Sequence, residues 1–374
     1  MPPFSEKEPL NPAVQVEEVT SAGPVLTFGK SRIQAGGPCY VIAEIGHNHQ
    51  GSLEKARLMI ETAARCGVNA VKFQKRSNRS LYTREMYDRP YDHENSFGAT
   101  YGEHREKLEF GLTEYRELKD CAEAQGVEFM CTAFDLESLD FVDTLGVTSF
   151  KFASGDLTNI PLLTAAAARN KPIFLSTGAA SLEEIRIAYG AIRRHHDQLC
   201  LLHCVCEYPA EYANLNLNII KTLRREFPDV LIGYSGHDNG ILAPVIAYSM
   251  GAVVVEKHFT LNRSLKGTDH RFSLEPEGLR KQVRDLRRLD VMLGEEEKVM
   301  REYEAAARQK MGKSLYASRN LPAGHVLTEA DFSIRSPGGA FMPYEISRIC
   351  GRQLKKPLRS ETLLTEDFFE NPPA

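Results

Sequence analysis

The feature that most constrains the fold of this chain is a regular alternation that begins near residue 39. Short β-rich apolar runs are each followed by a longer stretch with helical spacing. Eight such runs occupy residues 39–46, 70–74, 127–134, 149–154, 172–177, 200–205, 231–236 and 253–260. Near-continuous Val, Ile, Leu and Phe content is typical of parallel strands buried on both faces. Eight β/α units over about 250 residues predict an α/β fold, a (β/α)₈ barrel.

Helix-start and helix-stop signals frame the stretches between the runs. Ser52 precedes an amphipathic stretch that Gly67 ends, and Thr113 and Gly126 frame another. Ser181 begins a third. A doubly wound open sheet is the rival architecture, but no GxGxxG turn follows the first run. We therefore expect residues 37–293 to form the barrel.

The segments on either side of the barrel differ from it in composition. Residues 1–36 begin acidic and proline-rich without an apolar signal-peptide core, which indicates a loosely attached leader. Residues 294–312 are charged and predict a linker helix. Residues 313–374 contain short β-like runs between PAG and SPGG turns and predict a small separate domain. Residues 75–112 form a long insertion that we expect over the C-terminal face of the barrel.

Composition excludes several classes of function. The net charge is −4, and a nucleic-acid surface would need a basic stripe. There is no run of about 18 apolar residues, so no membrane span is expected. The eight cysteines lack the CxxC spacing of structural zinc sites, and several lie inside apolar runs. We therefore expect reduced thiols in a cytoplasmic protein.

Polar residues at the C-terminal ends of the runs are the candidate site, since barrel enzymes form their active sites there. Glu44, Lys72, Lys151 and Glu256 lie within apolar runs, and such side chains are seldom buried without a partner. A lone barrel lysine is often only the partner of a carboxylate. Two lysines beside a Ser-Gly turn instead fit recognition of a phosphate and a carboxylate on a small anion. The further candidates are Gln74, Ser154, Gly155, Asp156, Tyr208 and Ser235.

Two histidines follow the last two runs. Each of His237 and His258, taken singly, is more often a hydrogen-bonded core residue. As a pair at adjacent strand ends, with Glu256 nearby, they favour ligation of a borderline divalent metal such as Mn²⁺, Fe²⁺ or Zn²⁺. Asp269 follows in a glycine-containing loop, either as a loop cap or as a contact to substrate hydroxyls or metal-bound water.

Together these runs resemble the sialic acid synthase family, the N-acetylneuraminate synthases. The resemblance lies in AEIGHNHQG at 43–51, VKFQ at 71–74, FKFASGDLTNIPLL at 150–163, IGYSGHDNG at 232–240 and the EKHFTL and KGTDHRFSLEP segments within 256–276. The GKSLYA and IRSPGG segments resemble that family's C-terminal antifreeze-like domain. The resemblance covers about residues 36–370, so the expected fold is a TIM barrel followed by a small antifreeze-like β-clip domain.

The resemblance implies a transferase that joins phosphoenolpyruvate to the aldehyde of open-chain N-acetylmannosamine. A related 2-acetamido or 2,4-diacetamido hexose, with or without a 6-phosphate, is an alternative acceptor. The products are a nine-carbon 2-keto sugar acid and phosphate. The implied metal on His237 and His258 is typically Mn²⁺, with Mg²⁺ or Co²⁺ as alternatives, and it polarises the aldehyde. Lys72 and Lys151 are implied to hold phosphoenolpyruvate.

The resemblance also implies roles for the acidic residues and for one arginine. Glu44 is implied to lie near the reacting end of the acceptor. Asp156, Glu256 and Asp269 are implied to line the site. Arg335 is implied to reach the N-acetyl group of the acceptor from the other subunit of a domain-swapped homodimer.

The identity of the acceptor stays open. Asp156 stands where many bacterial relatives carry Glu, and Cys206 stands where relatives often have Asn or Ser. The insertion carries residues that lie where the acceptor's tail would bind: Tyr82, Tyr87, Arg89, Tyr101, His104 and Arg105. Two other functions also stay open: a metal-dependent barrel aldolase that uses pyruvate, and a carbohydrate- or ice-binding protein based on the antifreeze-like unit. Charged residues inside the barrel runs argue against the second.

Overall fold

A two-stranded hairpin precedes the barrel in this computed structural model, which describes residues 23–370. Its strands are β1 (Val25–Phe28) and β2 (Ser31–Gln34), paired antiparallel. The prediction of a loosely attached leader through residue 36 is therefore wrong for residues 25–34. Residues 1–22 of that predicted leader, and residues 371–374 of the predicted C-terminal domain, lie outside the described residues.

The hairpin closes the N-terminal end of the barrel. Phe28 makes edge-to-face contacts with Tyr40 and Phe174, with ring centroids 5.7 and 5.4 Å apart. Leu26 and Ile33 are buried in the same cluster. Burial of three such side chains contributes roughly 5–9 kcal/mol before the entropy cost of ordering them. That gain explains why this short segment, in which apolar and polar residues alternate, folds onto the barrel.

Eight parallel strands form the closed barrel that the sequence predicts. They are β3 (Tyr40–Gly46), β4 (Ala70–Lys75), β5 (Glu128–Ala133), β6 (Phe150–Phe152), β7 (Ile173–Ser176), β8 (Leu199–Cys204), β9 (Leu231–Gly236) and β10 (Val254–His258). Each strand pairs with its neighbours in chain order, and β10 pairs with β3 to close the ring. The predicted barrel fold is confirmed.

Helices connect the strands. In the barrel unit they are α1 (Leu53–Arg65), α2 (Asn78–Leu81), α3 (Arg84–Asp88), α4 (Tyr101–Glu106), α5 (Leu112–Ala124), α6 (Leu136–Thr144), α7 (Ile160–Ala167), α8 (Leu182–Arg193), α9 (Ile219–Glu226), α10 (Leu242–Ser249) and α11 (Pro276–Leu293). Ser52 and Ser181 cap α1 and α8 as predicted. Helix α5 instead begins one residue before Thr113, with Gly111 at its N-cap. No helix within residues 23–370 has the length and apolar content that a bilayer span requires.

Side chains inside the barrel change from apolar to polar toward the C-terminal ends of the strands. Alternate residues of a strand face the same side, so Tyr40, Ile42 and Glu44 point inward from β3. The lower inward positions are apolar and buried with the hairpin: Tyr40, Ile42, Ala70, Met130, Phe174, Cys200, Leu202, Leu231 and Val254. The next positions are polar and line a cavity: Glu44, Lys72, Thr132, Lys151, Ser176, Ser235 and Glu256. The cavity therefore has a charged wall above an apolar layer.

The 75–112 insertion contains the three short helices α2, α3 and α4. Between α3 and α4, an isolated antiparallel β-bridge pairs Pro90 with Thr100 and so brings the two ends of that segment together. Tyr101 and His104 on α4 pack against Tyr91. This packing positions Arg105, which lines the cavity.

A second compact unit begins after Gly294. It contains α12 (Ala305–Met311), β11 (Ser314–Ala317), β12 (Phe332–Arg335) and α13 (Ile346–Ile349). Strands β11 and β12 pair antiparallel over a small core that includes Leu315, Leu327 and Phe341.

The predicted linker helix over residues 294–312 is too long. The helix α12 occupies only its second half, after a 3₁₀ turn at Glu302–Glu304. Residues 291–300 are all exposed. Because a short helix without a buried face is marginal in water, nothing stabilises helical structure over residues 294–300.

Candidate active site

A cavity of about 440 Å³ at the C-terminal end of the barrel is the candidate site. Its lining includes most of the residues predicted from sequence: Glu44, Lys72, Gln74, Lys151, Ser154, Gly155, Tyr208, Ser235, His237, Glu256, His258 and Asp269. These residues come from six strands and the segments that follow them. The barrel therefore brings together side chains that are up to about 225 residues apart in the chain.

Lys72 lies at the centre of a buried ion-pair cluster. Its Nζ is 2.7 Å from Glu44 Oε2 and 3.5 Å from Glu256 Oε1, and it donates a hydrogen bond of 2.8 Å to Thr132 Oγ1. Burial alone would lower the pKa of Lys72, but the attraction of Glu256 and Glu44 outweighs it and raises the pKa. Lys72 is therefore a fixed positive charge.

Lys151 supplies a second ammonium group to the same cluster. Its Nζ lies 3.7 Å from Glu256 Oε1 and donates to Ser176 Oγ at 2.8 Å. Burial lowers the pKa of Lys151 more than Glu256 raises it. Two ammonium donors on one wall can bind the oxygens of a small dianion.

The two glutamates differ in their readiness to bind a proton. Burial raises the pKa of Glu44 despite the nearby Lys72. Burial would also raise the pKa of Glu256, but Lys151 and Lys72 together lower it to about 2. Glu256 therefore stays ionised and anchors both lysines, whereas Glu44 is the carboxyl group that can exchange a proton. Such a divergence between two neighbouring acids is typical of separate chemical roles.

His237 and His258 lie side by side, with ring centroids 5.4 Å apart. Burial lowers the pKa of each to about 4, so both imidazoles are neutral at pH 7. His237 Nδ1 lies 2.7 Å from the Val205 carbonyl oxygen, which requires a donated N–H and leaves Nε2 with a free lone pair. His258 Nδ1 lies 3.8 Å from Asp269 Oδ2.

These two histidines fit a divalent metal. Metal-binding histidines commonly present their second ring nitrogen to a carbonyl or carboxylate, as His237 does to the Val205 carbonyl. His258 Nδ1 faces the Asp269 carboxylate at 3.8 Å without a hydrogen bond within the described residues. Neutral imidazoles are the form that binds a metal. Over residues 23–370, no group of three or more His, Cys, Asp or Glu side chains has the arrangement of a metal site. A metal held by His237 and His258 would therefore need further ligands from substrate or water.

A short 3₁₀ turn at Ser154–Asp156 follows β6 and forms another wall. Ser154 Oγ accepts a hydrogen bond of 2.9 Å from the Gly178 backbone N–H. Asp156 is buried beside the cavity but is not among its lining side chains. Its Oδ2 has no hydrogen-bond partner within the described part of the chain. Burial raises the pKa of Asp156 to about 7.

Two further predicted residues lie in different surroundings. Tyr208 packs over His237 with ring centroids 4.1 Å apart and covers the histidine pair. Arg335 belongs to the C-terminal unit, where its guanidinium pairs with Glu361 at 2.6 Å. The role of Arg335 toward the acceptor stays a prediction.

Several lining residues were not selected from the sequence: Arg76, Thr132, Phe134, Ala153, Ser176, Cys204 and Thr268. Thr132 and Ser176 lie two positions beyond the inward-facing Met130 and Phe174, so the period of two along each strand could have identified them. Arg76 follows the end of β4, where no periodicity applies.

A buried ion pair outside the barrel wall joins the two histidine-bearing strands. Lys257 and Asp238 are fully buried, with Nζ and Oδ1 3.0 Å apart. Tyr234 donates a hydrogen bond of 2.6 Å to the same carboxylate. Because Asp238 follows His237 and Lys257 precedes His258, this pair fixes the spacing of the two imidazoles.

Comparison with known proteins finds similar sequences over most of this chain. A model described as the NeuB family matches residues 59–298, and one described as the SAF domain matches residues 312–370. Human N-acetylneuraminate-9-phosphate synthase is 37% identical over 89% of this chain and 93% of that protein. N,N'-diacetyllegionaminic acid synthase of Legionella pneumophila is 36% identical over 89% of this chain and 95% of that protein. The crystal structure of N-acetylneuraminic acid synthetase from Leptospira borgpetersenii is 34% identical with a TM-score of 0.67, over 76% of this chain and 95% of that one.

Proposed function

This chain belongs to the NeuB family, and on that premise we propose that it is a phosphoenolpyruvate-dependent sugar acid synthase. Its acceptor is the open-chain aldehyde of a 2-acetamido or 2,4-diacetamido hexose. The products are a nine-carbon 2-keto sugar acid and inorganic phosphate. The observation that carries this proposal is the buried pair of ammonium groups, Lys72 and Lys151, on the wall of a cavity that also holds two neutral histidines.

The lysines bind phosphoenolpyruvate. Its phosphate and carboxylate need several charge-assisted donors, which Lys72 and Lys151 supply from a dry wall. Thr132 and Ser176 each accept a hydrogen bond from one ammonium group and so fix its direction. Glu256 holds both lysines in place and keeps their charge, because it remains ionised across the working pH range.

The reaction forms a bond between C3 of phosphoenolpyruvate and the aldehyde carbon. Water then adds to C2, and cleavage of the bond between C2 and the phosphate oxygen releases phosphate and leaves the 2-keto group. Glu44 lies where it can take the proton of that water, since it adjoins Lys72 and exchanges protons more readily than Glu256. Gln74 orients this carboxylate by donating a hydrogen bond of 2.5 Å to its Oε1.

The histidine pair serves the acceptor. His237 and His258 would hold the divalent metal, for which we propose Mn²⁺. A divalent cation supplies Lewis-acid polarisation of an aldehyde when bound. Tyr208, packed over His237, shields that end of the cavity.

We also propose that the enzyme is a domain-swapped homodimer in which Arg335 serves the partner's acceptor, and that it works in the cytoplasm. Arg335 is half-exposed at the end of β12, where Glu361 holds its guanidinium. Two inactive variants, Lys72→Met and Arg335→Ala, test this directly. When the two variants are co-expressed and pair at random, about half of the dimers are mixed. If the arginine acts across subunits, one of the two sites in each mixed dimer is intact, so up to about a quarter of wild-type activity returns. Activity that stays absent in the mixture would refute the swap.

The function itself is tested by phosphate release from phosphoenolpyruvate with a panel of acceptors. N-acetylmannosamine, its 6-phosphate and 2,4-diacetamido hexoses are supplied with Mn²⁺, and the sugar acid is identified by mass spectrometry. Release requires both phosphoenolpyruvate and one of these acceptors, and Lys72→Met abolishes it. Formation of a sugar acid from pyruvate instead would favour a barrel aldolase. Sugar binding without turnover would favour a carbohydrate-binding protein.

A further inference from the structure

Two arginines line the cavity without a carboxylate partner. Arg76, which follows β4, and Arg105, on α4 of the insertion, both contribute to the lining. Arg76 is only 8% exposed. Within residues 23–370 neither guanidinium forms an ion pair, although Lys72 and Lys151 in the same cavity both do. A buried arginine without a counter-charge is uncommon because losing its hydration is costly.

The polar groups around these arginines cannot accept hydrogen bonds from all of the guanidinium N–H groups. Arg76 Nη1 and Arg105 Nη1 lie 3.2 and 3.3 Å from the two different ring nitrogens of His47. Burial and the two arginines lower the pKa of His47, so the ring is neutral and has only one lone pair to accept with. At least one of the two contacts therefore sets a donor against a donor.

The remaining acceptors are few. Arg76 Nη2 donates to Gln74 Oε1 at 2.7 Å, and Arg105 donates twice to the hydroxyl of Tyr101 at 3.0 and 2.8 Å. Each guanidinium carries more N–H groups than these atoms can accept. Asp269 and Glu109 attract the two guanidinium groups only through space, although Glu109 Oε2 accepts a hydrogen bond of 3.3 Å from the backbone N–H of Arg76. The surplus of donors and of positive charge indicates that an anion completes this part of the cavity.

This anion is distinct in place from the one that the lysines bind. Arg76 follows the C-terminal end of β4, whereas Lys72 lies within that strand. Gln74 lies between them and contacts both Arg76 and Glu44, which flanks Lys72. An open-chain hexose has its aldehyde at one end and its terminal carbon at the other, so a group on the terminal carbon lies one sugar length from the reacting end.

We propose that Arg76 and Arg105 form a second anion subsite, which binds a phosphate group on the terminal carbon of the acceptor sugar. This inference rests on the proposed function and narrows its substrate class to phosphorylated amino-sugar aldehydes. Two guanidiniums suit a phosphate because each presents a planar fork of donors that matches two of its oxygens. The insertion thereby sets the acceptor specificity, and the lysine pair sets the use of phosphoenolpyruvate.

The experiment compares N-acetylmannosamine with N-acetylmannosamine 6-phosphate at saturating phosphoenolpyruvate and Mn²⁺. For the wild-type enzyme, kcat/KM for the 6-phosphate exceeds that for the free sugar by about 10- to 100-fold, the usual effect of charge-assisted hydrogen bonds. Arg105→Gln lowers this ratio toward one, mainly through KM of the phosphorylated sugar. Arg105→Lys keeps the charge but loses the fork and gives an intermediate ratio. Arg84→Gln is the matched control, since Arg84 lies on the same insertion with its side chain 96% exposed.

Each other outcome overturns the proposal. Equal kcat/KM for both sugars in the wild-type enzyme would remove the subsite without reference to any variant. A rise in KM for phosphoenolpyruvate in Arg105→Gln, with the ratio unchanged, would assign the arginines to the phosphoenolpyruvate site. An equal loss for both sugars would indicate a structural role only. Absence of phosphate release with both of these sugars and with the 2,4-diacetamido hexoses would reject the proposed function together with the subsite. Release with the 2,4-diacetamido hexoses only, or release with an unchanged ratio, would reject the subsite alone.

Discussion

Substitution of the buried Lys257 tests whether its ion pair with Asp238 stabilises the barrel and fixes the histidine pair. In Lys257→Met, a side chain of similar length replaces the ammonium group that lies 3.0 Å from Asp238 Oδ1. Lys257 also donates to the backbone carbonyl of Asp238. The substitution leaves a fully buried carboxylate with Tyr234 as its hydrogen-bond donor.

The expected loss of stability follows from that uncompensated charge. Breaking a buried pair by removing one partner costs about 3–5 kcal/mol. The barrel unit of residues 25–294 has an unfolding entropy of about 0.57 kcal/mol/K, so a loss of 4 kcal/mol lowers its Tm by about 7 °C. Catalysis by the folded variant should also fall, because the pair fixes the spacing of His237 and His258.

Thermal unfolding of four proteins measures this effect. Lys257→Met is compared with the wild-type chain, with the exposed control Lys221→Met and with the double variant Asp238→Asn/Lys257→Met. The double variant removes the unpaired carboxylate charge, and the introduced asparagine still accepts a hydrogen bond from Tyr234. It should therefore recover about 1–3 kcal/mol of the lost free energy of unfolding. If Lys257→Met melts within 2 °C of the control, or the double variant is no more stable than the single one, the reasoning is wrong.

Four further results are expected. Glu44→Gln, which cannot accept the proton of water, should lower kcat by about 100-fold or more at saturating substrates; near-normal turnover would exclude Glu44 as the base. Chelation and His237→Ala should each abolish phosphate release, and added Mn²⁺ should restore only the chelated enzyme; activity that survives both would remove the metal from the mechanism. Burial raises the pKa of Asp156 to about 7 in the folded chain, whereas the unfolded carboxyl group loses its proton near about pH 4. Between about pH 4 and 7 the folded chain therefore binds the extra proton, and stability falls as pH rises through that window. Asp156→Asn should therefore gain about 3–4 kcal/mol above pH 7, and an unchanged pH profile of unfolding would contradict this. Asp331 is fully buried and accepts hydrogen bonds from Arg319, His325 and Thr328, so Asp331→Asn should destabilise the antifreeze-like unit by about 2–4 kcal/mol, as measured by denaturant unfolding at pH 7; a change below 1 kcal/mol would show that the network matters little.

The fold was largely predictable because its signals are local and repeated. Each predicted run contains a strand, and the serine caps of α1 and α8 are where the sequence placed them. The hairpin was missed, although a signal was present: the alternating VLTF and SRIQ segments flank Gly29-Lys30, a two-residue turn with φ of +52° at Gly29. The linker helix was predicted too long because its composition suits a helix while its surroundings supply no buried face.

The candidate site was predictable only where the strands themselves determine direction. Side chains of a strand alternate between its two faces, so Glu256 and His258 lie on one face of β10 and Lys257 on the other. Once the strand is known, the sequence therefore predicts that Lys257 points away from the cavity. The positions of Arg76 and Arg105 do not follow in this way. Each depends on the path of a loop or of the insertion helices, which tertiary packing decides.

The electrostatics of the cavity depend on a part of the chain that takes no part in the chemistry. The pKa values of Glu44 and Glu256 diverge because both lie in a dry layer, where burial and the lysines act at full strength. That layer stays dry because the inward positions below it are apolar and because Phe28 of the hairpin closes the barrel beneath them. Water entering from below would screen the ion pairs and bring the two carboxyl groups toward a common pKa. The hairpin therefore helps to keep the pKa values of the two glutamates apart. Its loss should change the pH profile of kcat as well as the stability of the barrel.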